Sequence, residues 1–182
     1  MSKENRRLFT AIAFDDKRKG VIERNVLKAA ESGRMRPVRR ENFHLTLVYI
    51  GNSKRAEAAV KALKQVRSEA FVLEFTQGSY FKKRNALILW QGVKRCPELL
   101  ALQSKVKAAL EAAGFPCDER PYRPHVTLAR NYRKNKETDL SAVLEHFEKP
   151  ADMKVFSLSL FESKRENGVL VYEELERFPF AQ

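Results

Sequence analysis

The sequence predicts an α+β fold of two pseudo-symmetric lobes, and three observations predict it. Strand and helix patterns alternate along the chain without the long apolar runs of a parallel sheet. A unit of strand, helix and His-apolar-Thr-Leu strand occurs once in each half, at His44-Leu45-Thr46-Leu47 and His125-Val126-Thr127-Leu128. The two histidines are 81 residues apart, so only the fold can unite them, and two lobes facing a shared cleft would do so.

The elements follow in order. Residues 8–14 are a short apolar run ending at Asp15-Asp16, a strand followed by a helix N-cap. From 17 to 32, Val21, Ile22, Val26 and Ala29 keep helical spacing, and Gly33 is placed to end that helix. Residues 34–40 form a basic connector that Pro37 biases towards extended backbone. A strand over 44–50 closes at Gly51-Asn52-Ser53, and Ala56, Ala59, Val60, Leu63 and Val66 then mark an amphipathic helix. Residues 71–75 and 86–90 read as strands around the polar, basic segment 80–85, which is a hairpin or a long loop. Leu99, Leu102, Val106, Leu110 and Ala113 give the clearest helix, from Pro97 to Gly114. After the second histidine strand, residues 131–136 are polar and basic, and Leu140, Val143, Leu144 and Phe147 mark a short helix that Pro150 ends. Strands over 154–161 and 169–175 meet at Asn167-Gly168, a hairpin turn signal. No linker divides the chain, so residues 1–182 read as one two-lobed domain.

Composition narrows the partners. Hydrophobic residues make up 43% of the 182, enough for a core. Lys and Arg outnumber Asp and Glu by 35 to 23, a net charge of +12 that favours polyanions without choosing among RNA, DNA and membrane surfaces. No apolar run approaches a bilayer span, and the N-terminal stretch lacks a cleavage-site pattern, so the chain reads as cytoplasmic. Cys96 and Cys117 have no CxxC spacing, which indicates reduced structural thiols rather than a disulfide framework or zinc site. No coiled-coil pattern argues for more than a monomer.

The chemistry resides in the paired motifs. On a strand, side chains alternate, so each His and Thr share one face and the apolar residues the other. A given His meets apolar-Thr-Leu by chance on the order of once in several hundred trials; here two of three histidines do. Two histidines across a cleft suit displacement at phosphorus, one imidazole taking the proton of the attacking hydroxyl and the other supplying the leaving oxygen. Their ordinary pKa near 6.5 makes both forms accessible. Thr46 and Thr127 can donate to non-bridging phosphate oxygens, and Arg130 can add a charge-assisted contact. Nothing in the spacing asks for a metal, and no GxxxxGK[ST] loop supports ATP-dependent chemistry.

These motifs, with Tyr122-Arg123-Pro124 before the second and Arg130 closing it, resemble the 2H phosphoesterase superfamily, and within it the RNA 2′,3′-cyclic phosphodiesterases, also called 2′-5′ RNA ligases. Arg7-Leu8-Phe9-Thr10-Ala11-Ile12 and Glu41-Asn42-Phe43 extend the resemblance over most of the chain. It implies antiparallel sheets flanking a central cleft with helices outside, no cofactor, and hydrolysis of a 2′,3′-cyclic phosphate to a 2′-phosphomonoester, with reversible ATP-independent 2′-5′ ligation as the related chemistry. It further implies His44 as proton donor to the departing 3′ oxygen, His125 as acceptor from water, Thr46 and Thr127 as phosphate holders, and Arg130 as their support. The residues alone leave the acid and base roles open. Where relatives often carry a basic residue after the first motif, this chain has Val48-Tyr49.

Other readings stand beside these. RNA ends or small cyclic nucleotides are both admissible substrates, and a non-catalytic basic RNA-binding module is the alternative of a different class. Arg34, Arg36, Arg39 and Arg40, then Lys82, Lys83 and Arg84, then Arg133, Lys134 and Lys136 could ring the cleft or be solvated faces. Arg123, Tyr122 and Phe43 are candidate substrate contacts; Tyr80, Phe81 and Tyr132 are further stacking candidates. Trp90 reads as core and His146 as a surface residue.

Overall fold

The alternation of apolar and polar positions is realised as two four-stranded antiparallel sheets in a computed structural model that describes residues 4–180. Met1–Lys3, part of the stretch weighed as a leader, and residues 181–182 lie outside the described residues. The elements are β1 (Arg6–Ala13), α1 (Asp16–Glu31), β2 (Gly33–Pro37), a 3-10 turn (Arg40–Asn42), β3 (His44–Ser53), α2 (Ala56–Leu63), β4 (Phe71–Leu73), β5 (Phe75–Lys83), β6 (Ala86–Val93), α3 (Pro97–Ala112), β7 (His125–Lys134), α4 (Leu140–Glu145), β8 (Met153–Val155), β9 (Ser157–Glu166) and β10 (Val169–Pro179).

One sheet runs β10-β9-β1-β3 and the other β2-β7-β6-β5. Their common unit is three strands, β9-β1-β3 and β5-β6-β7, so the predicted pseudo-symmetry is present. The helices exchange lobes. α1 leaves β1 yet lies on β7 and β2, and α3 leaves β6 yet lies on β3 beside α2. Leu99, Leu102, Val106 and Leu110 bury one face of α3, and Ile22, Val26 and Ala29 one face of α1. Beneath them Leu45, Leu47, Val126 and Leu128 are at most 3% exposed; each buried Leu contributes about 1.5–3 kcal/mol. Asn25 fixes α1 to the second sheet, its Nδ2 donating to Gln91 Oε1 at 2.9 Å and to the Glu148 carbonyl at 2.8 Å.

Local signals explain the ends. Asp15 caps α1 by accepting from the Arg18 amide at 2.9 Å. Pro97 opens α3, and Gly114 follows it at φ +77°. Asn167 and Gly168 both take positive φ between β9 and β10, as that hairpin turn needs.

Some expectations change. Gly33 is not a left-handed cap: Ser32 ends α1, and Gly33 begins β2, where an added Cβ would meet the Tyr132 ring and the Arg133 carbonyl. The basic connector is an edge strand against β7, and the basic segment 80–85 is the tip of the β5–β6 hairpin. Phe71–Leu73 pairs with β8 instead of joining that hairpin. Cys96 and Cys117 are free, half-buried thiols. Among the described residues, no helix is long and apolar enough to cross a membrane.

Candidate active site

Strict alternation along the motif strands would put His, Thr and the fourth residue after His on one face. The structure departs from it at the same place in both lobes. On β3, Ala11 pairs with Thr46 but Thr10 with Val48, leaving Leu47 extra. On β7, Trp90 pairs with Thr127 but Leu89 with Ala129, leaving Leu128 extra. Each is a bulge that reverses the alternation beyond it. Val48 and Ala129 therefore turn inward, and Tyr49 and Arg130 turn out to the cleft. Thr10 satisfies the first bulge: its Oγ1 accepts from the Val48 amide at 3.1 Å and donates to the Val48 carbonyl at 3.3 Å. At the second, the Val38 amide donates to the Leu128 carbonyl at 2.8 Å.

The histidines are held alike. His44 Nδ1 lies 2.7 Å from the Asn42 carbonyl, and His125 Nδ1 lies 2.7 Å from the Arg123 carbonyl. A carbonyl only accepts, so both Nδ1 atoms carry hydrogen and each neutral ring presents a bare Nε2. Thr46 Oγ1 sits 2.9 Å from His44 Nε2 and donates to it in that state. The His44 ring stacks at a tilt on Phe9, 4.8 Å away, and meets Tyr172 edge-on at 5.1 Å. Phe81 meets His125 edge-on at 5.0 Å.

Burial disfavours the charged form of both rings. Burial pulls His44 down to about 4, the charges of His125, Arg130 and Lys19 adding to it against the opposing Asn42 bond. Burial also lowers His125, with Arg130 contributing against the Arg123 bond. Two imidazoles freely titrating near 6.5 are therefore not what the free protein holds.

His44, Thr46, His125, Thr127, Arg130, Arg123 and Tyr122 all line one cleft of about 1090 Å³. Phe43 does not: it is 2% exposed in the core, because the residue before His44 faces away from the cleft. A side chain packed there does not reach a substrate in this cleft. Tyr132 is fully buried with its hydroxyl bonded at Ser32, and Tyr80 lies off the cleft wall. Phe81 lines the cleft, Trp90 stacks beneath it, and His146 is exposed. Of the three basic clusters only Arg36 reaches the cleft; Arg40 pairs with Glu23 and Asp16, and Arg39 with Glu41.

The basic lining comes mostly from residues the sequence did not single out. Arg7, Lys107, Arg120, Lys164 and Arg165 join Arg36, Arg123 and Arg130, and Asp118 is the one acidic side chain among the described lining residues. Such a wall focuses attraction on an anion. Asn42 was also missed: its Nδ2 donates to the Leu170 carbonyl at 2.9 Å and its Oδ1 accepts from the Tyr172 amide at 3.1 Å. Alternation carried past Phe9 would have found Arg7 on the same face. Nothing local marks Asn42 or Tyr172. Among the described residues, no three His, Cys, Asp or Glu side chains gather as a metal would need.

The chain is similar to known proteins. The chain is 30% identical over 179 residues, 94% of its length, to an RNA 2′,3′-cyclic phosphodiesterase of Geobacillus stearothermophilus, and that match spans 56% of the relative. It is 29% identical over 140 residues to an RNA 2′,3′-cyclic phosphodiesterase of Aeropyrum pernix, covering 75% of this chain and 78% of that one. The crystal structure of Escherichia coli LigT in its apo form superposes with a TM-score of 0.77 over 98% of this chain and 99% of LigT at 24% identity, which establishes the shared fold. The model of the 2′-5′ RNA ligase superfamily matches residues 19–167, and with both motifs on equivalent bulged strands the chain belongs to that family.

Proposed function

We propose that this protein hydrolyses the 2′,3′-cyclic phosphate at an RNA end to a 2′-phosphomonoester, and that it catalyses reversible ATP-independent 2′-5′ ligation by the same displacement with an RNA 5′-hydroxyl in place of water. The observation that carries this reading is the pair of His-Thr units on equivalent bulged strands facing one basic cleft. Similarity to proteins named RNA 2′,3′-cyclic phosphodiesterase supports it.

In this mechanism Thr46, Thr127 and Arg130 bind the non-bridging oxygens and stabilise the charge that builds at phosphorus. His125 takes a proton from the attacking water through its bare Nε2, while His44, protonated, delivers one to the departing 3′ oxygen. The P–O3′ bond breaks as the new P–O bond forms, and the two rings end in exchanged protonation states. His44 has to gain a proton that burial disfavours. The phosphate anion supplies the compensation, because its negative charge beside the rings offsets Arg130. Alanine at either His44 or His125 is expected to lower the rate by several orders of magnitude while leaving the fold intact.

The test is phosphorus NMR on a short RNA ending in a 2′,3′-cyclic phosphate, with excess EDTA. A 2′-monoester signal that the His125→Ala protein fails to produce supports the reading. Salt-sensitive RNA binding without turnover would favour a basic binding module instead.

A further inference from the structure

Arg36 on β2 and Arg130 on β7 stand directly opposite one another in the antiparallel ladder, and both line the cleft. Side chains so placed have Cβ atoms about 4.5–5.5 Å apart, and like charges there are destabilising. Nearby carboxylates pair with Arg39 and Arg40, while neither Arg36 nor Arg130 meets one among the described residues. A cross-strand pair of unneutralised guanidiniums is a place for anions.

The two arginines are not equivalent. Arg130 is on the strand that carries His125 and Thr127, and its charge bears on both imidazoles. Arg36 is on the edge strand, one strand spacing of about 4.8 Å further out. Its backbone is well fixed: Pro37 follows it and restricts it to extended geometry, and Val38 bonds to Leu128. At the reacting group, a cyclic phosphodiester offers two non-bridging oxygens, which Thr46, Thr127 and Arg130 already serve. Arg36 is left for a second anion beside the first.

Resting on the phosphodiesterase reading above, we propose that Arg36 binds the phosphodiester joining the terminal nucleotide to its 5′ neighbour, so that the site prefers a polynucleotide end to a free cyclic nucleotide. A mononucleotide has no charge at that position. An RNA end always has one.

The test compares kcat/KM on three substrates: adenosine 2′,3′-cyclic phosphate, the ApA dinucleotide with a 2′,3′-cyclic phosphate end, and that dinucleotide with an uncharged methylphosphonate linkage. Arg36→Gln is expected to lower the charged dinucleotide about tenfold, the scale of one charge-assisted contact, and to leave the other two within about twofold. Arg36→Lys, which keeps the charge, retains part of the preference. Equal losses on all three substrates, or on none, overturn the inference. If the unsubstituted protein turns over all three equally, the inference fails and the phosphodiesterase reading stands; if it turns over none, both fail.

Discussion

The Tyr122 hydroxyl donates a 2.9 Å hydrogen bond to the carbonyl oxygen of Thr46. The lead-in to the second motif is thereby fastened to the middle of the first, across the cleft that separates the sheets. A bond so placed is expected to help set the separation of the two histidine strands as well as to add stability. Tyr122→Phe keeps the ring and removes only the bond. The expected cost is about 1 kcal/mol in urea unfolding, together with a fall in kcat/KM of about tenfold, since small misplacements of paired groups are expensive. A lowered unfolding midpoint with an unchanged rate would reduce the bond to a structural tie.

Asn42 connects His44 to the far edge of its sheet. Its side chain bonds β10 twice while its carbonyl holds His44 Nδ1. Asn42→Ala leaves the Leu170 carbonyl and the Tyr172 amide without their partner, at about 1–3 kcal/mol. It also frees the segment that orients the imidazole, so kcat is expected to fall more than KM rises. The proton NMR signal of His44 Nδ1–H should broaden in the variant, which loss of stability alone does not produce.

Gly92 faces His125 across the β6–β7 ladder. A Cβ there would meet the Thr76 hydroxyl and come within 2.6 Å of the Gln77 carbonyl. Backbone cannot yield as a flexible side chain does, so Gly92→Ala is expected to destabilise by about 1–3 kcal/mol. Calorimetry should show a lowered Tm, and activity should fall beyond the stability loss because the strand opposite His125 moves.

Most of the strand and helix order was legible because the apolar spacing is regular, and His44, Thr46, His125 and Thr127 were legible because a rare pattern occurs twice. The extra residue in each motif strand was not. Leu47 and Leu128 sit within unbroken apolar runs, and nothing in those runs says that Thr10 and Val38 will take up the freed backbone groups. The exchange of α1 and α3 between lobes was equally hidden, since amphipathic spacing gives a helix its buried face and not its partner sheet. Local charge density misled: of the three basic runs only Arg36 reaches the cleft, whereas the other lining cations are Arg7 on β1, Lys107 on α3, Arg120 and Arg123 in the segment before β7, Arg130 on β7, and the adjacent Lys164 and Arg165 on β9. Phe43 failed for the simplest reason, as the neighbour of a cleft residue on a strand points the other way.

Acid–base catalysis by two imidazoles needs one bare and one protonated. In the free protein burial pulls His44 to about 4 and lowers His125, and Arg130 adds to both effects. Because kcat/KM reports free-enzyme ionisations, its maximum should lie between two depressed values and therefore below about pH 6.5. It declines on the alkaline side as the second ring loses its proton. kcat reports the complex, where the phosphate's negative charge favours imidazolium, so its limbs should be displaced to higher pH. Arg130→Gln removes one cause of the lowering; its kcat/KM optimum should move upward in pH while its height falls. Steady-state rates from pH 4 to 9 on a cyclic-phosphate substrate measure all three. A kcat/KM maximum above pH 7 in the unsubstituted protein would contradict two imidazoles held neutral by burial and Arg130.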